Sequence, residues 1–202
     1  MGFSMVSVRK ATQLDKEQCI TTLARAFNED PVINWFIRQD KKRDNAFKLF
    51  FEIAFCYLTI PFDQVYMSGC GNAAALWSPP GKWKLGAFDQ LRLLPDYVKA
   101  FNYKRLLKVI PPIQKMQALH PVFPHYYLFV LGVRPEMQNR GFGSALMREV
   151  LMKCDSEKIP AYLEATSPSN RDLYLRHGFK VIRKFSLSTS GPDMWFMLRE
   201  PK

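Results

Sequence analysis

One stretch constrains this chain more than any other. An apolar run over residues 125–133 gives way to Arg134-Pro-Glu-Met-Gln138-Asn139-Arg140-Gly141-Phe142-Gly143-Ser144 and reopens at once as a helical pattern. From Phe142 to Glu157, Leu146, Met147, Val150, Leu151 and Cys154 fall on one stripe, the mark of a helix with a single buried face. Strand, glycine-bearing loop and helix in immediate succession make a βα unit, so the chain belongs to the α/β class. The first N–H groups of such a helix have no partners inside it, and its dipole favours negative charge there. Gly141 and Gly143 let an anion approach the backbone and Arg140 adds charge, so the loop reads as a diphosphate cradle. It matches neither GxxxxGK[ST] nor GxGxxG, which excludes the two commonest nucleotide loops.

The remaining segments surround that unit. Residues 6–10, 64–70, 73–78, 162–166, 179–188 and 194–199 read as strands, with Gly71-Asn72 turning the second into the third. Residues 14–27, 32–37 and 45–59 read as helices, and a short helix over 170–177 ends at Gly178. Residues 82–119 look helical but should break at Pro95 and at Pro111-Pro112, with Leu91, Leu94, Val98, Phe101, Leu106 and Leu107 on the core side. Hydrophobic residues at 48% and charged ones at 23% are ordinary for a folded globular domain. With no repeat or linker in sight, the expectation is one mixed α/β domain over 1–202, with 82–119 as a basic helical insertion.

Charge and cysteine narrow the partners. The chain carries a net +11, and 82–115 holds eight basic and two acidic residues, hence +6 of that total. Such a segment suits an acidic partner, nucleic acid included, but it equally serves as a solvated helix face, and no nucleic-acid signature accompanies it. No specific nucleic acid is therefore expected. The apolar run over 46–62 carries Lys48 and Glu52 and ends at Pro61, too short and charged to cross a bilayer. The N-terminal stretch has no signal-peptide core, and Val6 stands where a myristoylation signal after Gly2 needs Ser or Thr. Cytoplasmic residence without a membrane is the expectation. Cys19, Cys56, Cys70 and Cys154 are widely spaced and no Cys/His pair has ligand spacing, so neither a disulfide framework nor a metal site is expected.

Two signatures together resemble a known family. Val133-x-Pro135-x-x-Gln138-x-x-Gly141-x-Gly143 is similar to the coenzyme A signature of the GNAT superfamily of N-acetyltransferases, and Asn170-x-x-Leu173-Tyr174-x-x-His177-Gly178-Phe179 to its second. Weaker likeness at residues 24–31 and 75–81 extends it over most of the chain, most similar to small-amine acetyltransferases of the puromycin N-acetyltransferase kind. The resemblance implies a twisted, mostly antiparallel sheet with one splayed parallel strand pair, flanked by helices. It implies an acetyl-CoA-binding core over 125–178 and direct transfer from acetyl-CoA to an amine. By position, Leu131, Gly132 and Val133 would meet the pantetheine arm, with Asn170 hydrogen-bonded to it. Gln138, Asn139, Arg140, Gly141, Phe142, Gly143 and Ser144 would surround the pyrophosphate, and Tyr174 would protonate the leaving thiolate.

The base is open. Many members carry a glutamate where this chain has Tyr127, which leaves Glu164, His125, Tyr127 or a water chain. Glu164 is the first choice, since a carboxyl among apolar strand residues holds a proton more readily than one in water. Phe27, Asp30, Trp35 and Trp77 are the substrate candidates, because aromatics with one acid suit an amine on an apolar body. The same residues could equally build a core. The acceptor is a small-molecule or peptide amine, and the protein a monomer or homodimer. Two other readings stay open: a coenzyme-binding regulatory domain without turnover, and a protein acting on nucleic-acid-associated partners through 82–115.

Overall fold

The computed structural model describes residues 6–202; Gly2 and its myristoylation context lie outside them. Strands β1 (Val8–Lys10), β2 (Val65–Ser68), β3 (Ala73–Ser78), β4 (Tyr126–Val133), β5 (Ala161–Ala165), β6 (Lys180–Ser186) and β7 (Asp193–Arg199) form one sheet in the order β1-β2-β3-β4-β5-β7-β6. Only the β4–β5 pairing is parallel; the other neighbours run antiparallel. The mixed α/β class and the splayed parallel pair expected from sequence are both present. β4 and β5 pair only from Tyr126–Ala161 to Leu128–Leu163, whereas β4 stays on β3 as far as Val133. Past Leu128 the sheet therefore opens along a seam.

Side-chain alternation divides the core between the two faces. Tyr126, Leu128, Ala161, Leu163 and Ala165 pack with Leu146, Met147, Val150 and Cys154 of helix α7 (Phe142–Glu157). Tyr127, Val130 and Tyr162 face the other way, toward α1 (Lys16–Ala26), α2 (Pro31–Phe36) and α3 (Arg43–Ile53). Helix α3 runs on through a π segment, Ala54–Thr59, where the Thr59 hydroxyl donates to the Ala54 and Phe55 carbonyls, each at 3.2 Å. The whole helical run, Arg43–Phe62, spans 20 residues, longer than the sequence reading allowed, and by length and composition alone could cross a bilayer. Its apolarity has another use here: Phe47, Phe51, Ala54 and Phe55 lie in the core.

Residues 82–119 depart from expectation in two ways. They form α4 (Ala87–Arg92), α5 (Leu94–Phe101) and α6 (Tyr103–Leu119), and α6 continues straight through Pro111 and Pro112. Proline removes the N–H that would bond the carbonyl four residues back. Those carbonyls belong to Leu107 and Lys108, both exposed, so water can serve them. The apolar side also differs. Leu91, Leu94, Val98 and Leu107 are 71%, 49%, 37% and 59% exposed, while Leu93, Ala100, Phe101 and Val109 are buried. Three helices, each turned by its own cap, do not share the single period that a continuous helix would impose; Asn102, for instance, restarts α6 by accepting the Arg105 N–H at 2.9 Å. α8 (Pro168–Arg176) follows β5 and completes the helical layers.

Candidate active site

The glycine loop meets the end of β4: a Cβ on Gly143 would lie 3.6 Å from Leu131 Cδ2 and 3.9 Å from Val133 Cγ2. Gly141, at φ 81°, occupies the left-handed region as the cap residue of α7, a backbone that L side chains adopt only under strain. Asn139 is left-handed as well, at φ 58°. Together they turn the chain into α7, whose first-turn N–H groups have no partners inside the helix, beside the exposed Arg140. The Gln138 side-chain amide donates to the Val133 carbonyl at 3.2 Å and holds the loop against the end of β4. Ser144, one turn into α7, pairs with His177 Nε2 at 3.0 Å, so the start of α7 is tied to the end of α8. Burial first, then Arg176, Arg148 and Arg199, lower the His177 pKa and favour the neutral ring.

Gly132 has a different reason to be glycine. A Cβ there would lie 2.8 Å from Leu23 Cδ2 and 2.9 Å from Ala26 Cβ. Its role in the structure is to let α1 lie close on β4.

On the other sheet face lies a cavity of about 510 Å³. Phe27, Phe36, Phe50, Trp83, Tyr97, Phe101, Met116 and Phe129 supply much of its wall, and Leu131, Asn170 and Tyr174 line it where it meets the seam. Glu164 is the one carboxylate among the described lining residues. Its Oε2 accepts the Tyr127 hydroxyl at 2.6 Å, and its Oε1 lies 3.6 Å from His120 Nδ1. Burial, then the Glu164 charge, raises the Tyr127 pKa well above its ordinary value. Tyr174 is buried on α8 with its ring edge-on to Phe179; burial, then Asp30, raises its pKa, so the phenol keeps its proton at neutral pH.

The sequence candidates thus separate. Glu164, Tyr174, Asn170, Leu131 and Phe27 come together around one cavity. Asp30 stands beside it in a structural role: one oxygen caps α2 by accepting the Val32 and Ile33 N–H groups at 3.0 and 2.9 Å, and the other accepts the Thr166 hydroxyl. Burial raises its pKa against those three bonds. Trp35 lies outside the cavity wall, its carbonyl bonded to Arg105 at 3.0 Å and its ring 5.2 Å from Lys108 Nζ. Trp77 is across the sheet, fully buried with Ala73, Ala75 and the α7 stripe. Alternation along β3 could have placed it there, since residues two apart share a face. His120 and Trp83, both at the cavity, were missed because they fall at the edges of a segment read only for charge and helical period.

Comparison with known proteins bears on the fold. Residues 113–181 match the family model described as an acetyltransferase (GNAT) domain. An uncharacterized N-acetyltransferase of Schizosaccharomyces pombe, C550.08, is 25% identical over 98% of this chain and 84% of its own. Among solved structures, one described as histone acetyltransferase HPA2 and related acetyltransferase, from Corynebacterium glutamicum, superposes with a TM-score of 0.72 at 24% identity, covering 98% of this chain and 97% of the other. Arylalkylamine N-acetyltransferase 2 of Aedes aegypti gives 0.69 at 10% identity, covering 98% and 100%. At such identities the two structures speak for the fold.

Proposed function

We propose that the chain is a GNAT-type N-acetyltransferase that moves the acetyl group of acetyl-CoA by direct transfer to the primary amine of a small molecule with an apolar body, a reading supported by the family model over 113–181 and the Schizosaccharomyces pombe relative. The observation that carries the substrate side is the cavity: a largely apolar wall with a single carboxylate, Glu164, next to the seam. A polyamine would bring a second ammonium, and a charge left unpaired in an apolar site is costly. An arylalkylamine-like monoamine leaves no such charge; the Aedes aegypti neighbour bears that substrate class in its name.

The coenzyme reading follows the seam. The backbone of Leu131 and Val133 would receive the pantetheine arm, Asn170 would bond it, and residues 138–144 would hold the pyrophosphate on the α7 N-terminus. Acetyl-CoA supplies the activated thioester. Tyr174, protonated and at the cavity, would give its proton to the departing sulfur. In this reading 1–202 works as one domain, and α4 to α6 wall the acceptor cavity.

Thermal unfolding with acetyl-CoA, dephospho-CoA and ATP tests the coenzyme site. A ligand confined to the native state at ~100 times its Kd adds about 2.7 kcal/mol. A rise in Tm with acetyl-CoA well above that with ATP is expected, followed by thiol release when arylalkylamines are added. An absent shift would overturn the reading.

A further inference from the structure

We propose that His120 is the catalytic base of this site, taking the substrate ammonium's proton alongside Glu164, and that His125 is a positioning residue that sets the tautomer of His120. The inference rests on the acetyltransferase reading above.

A backbone carbonyl only accepts, so His125 Nδ1, 2.7 Å from the Phe123 carbonyl, carries a hydrogen. Burial lowers the His125 pKa and favours the neutral ring, whose Nε2 is then a bare lone pair. His120 Nε2 lies 2.9 Å from that lone pair and must be the donor. A neutral His120 with hydrogen on Nε2 has none on Nδ1, the atom 3.6 Å from Glu164 Oε1. Two bare acceptors thus face one another at the cavity, on side chains only 3% and 7% exposed. Tyr127 occupies the other Glu164 oxygen and does not fill this gap. What the gap lacks is an N–H donor, and an ammonium brings one.

The surroundings suit a proton held on His120. Trp83 stacks on its ring at 3.7 Å and 20°, and an indole face attracts a cation. Edge-on contacts come from Tyr127 at 4.9 Å and Tyr162 at 4.7 Å, with His125 tilted at 4.9 Å. Glu164 is the charged group that faces it.

The step balances. The ammonium gives one proton to His120 Nδ1, and the freed nitrogen lone pair forms the C–N bond at the thioester carbonyl. The C–S bond then breaks, sulfur takes the Tyr174 proton, and the surplus proton on the new amide nitrogen restores the phenol. The proton on His120 goes to solvent, so each acetyl transfer releases one.

Two measurements test this. Nitrogen-15 spectra of the histidine rings, assigned with His120→Gln, His125→Gln and His177→Gln, should place hydrogen on Nε2 of His120 and on Nδ1 of His125. The opposite tautomer on His120 overturns the proposal without any turnover being measured. With 2-phenylethylamine as acceptor, His120→Gln should lower kcat/KM by about 100-fold or more near pH 7. The loss should shrink as pH nears the amine's own pKa, about 10, while the acetyl-CoA-induced Tm shift is kept. His125→Phe, which removes the acceptor at Nε2, should move the acidic limb of the profile. An active wild type whose profile His120→Gln leaves unchanged overturns the proposal alone. A wild type that acetylates no primary amine overturns the acetyltransferase reading and the base with it.

Discussion

Single atoms decide several positions in this protein. At Gly132 the nearest obstacle to a Cβ is Leu23 Cδ2, which can rotate, but the next is Ala26 Cβ at 2.9 Å, fixed to the α1 backbone. Gly132→Ala therefore has to push α1 off β4, and overpacking of this kind costs about 1–3 kcal/mol. Urea unfolding should show that loss, and the acetyl-CoA Kd should rise with it, since the same strand borders the seam. Tyr174→Phe removes only a hydroxyl. It should lower kcat by ~100-fold or more with the acetyl-CoA Kd nearly unchanged. Equal losses in both would assign Tyr174 to binding instead. Glu164 could be read from sequence because strand alternation sets it two residues from Tyr162, on the face away from Leu163. His120 could not, because nothing in its neighbourhood says that Glu164, 44 positions on, folds against it.

Among the elements, those with a strong period were legible. Helix α7 spans the residues its stripe of Leu146, Met147, Val150, Leu151 and Cys154 implies, and β4, β5 and α8 fall within a residue or two of expectation. The α4–α6 segment was legible only in part: Pro95 sits in the first turn of α5, just past the end of α4 as expected, whereas α6 runs on through the exposed Pro111 and the buried Pro112. One long-range tie was invisible. Arg199, at the end of β7, donates two bonds of 2.8 Å to Asp155 on α7 and a third to the His177 carbonyl at 3.2 Å. It thereby joins the sheet to both α7 and α8. The Arg199 bond is the largest influence on Asp155, whose pKa falls to about 2. Asp155→Ala strands the buried Arg199 charge and should cost on the order of 3 kcal/mol. The pair's own contribution is present above the ordinary 3.8 and is lost as pH falls toward about 2. Acid titration of wild type against Asp155→Ala should find the two stabilities converging there.

For the whole molecule, pH between mild acid and neutrality acts through histidine. His125, bonded to His120, and His177, between α7 and α8, both have pKa values lowered from 6.5, with burial the largest cause. An unfolded chain binds protons at these rings below 6.5 sooner than the folded one does, so stability rises with pH through that window. The paired carboxylates change the balance only below their ordinary 3.8, being lowered in the fold. Asp30, raised by burial, acts in the opposite sense and only from 3.8 up to its own folded value. Near pH 6, about half a unit below the ordinary imidazole value, the histidines set the slope. Tm should therefore fall as the protein is acidified from about pH 7 to about pH 5.5. His177→Gln, which can still bond Ser144, should flatten part of that fall, and His125→Gln a further part. A Tm that stays level through this range in the wild type would mean that both rings reach solvent far more readily than their packing allows.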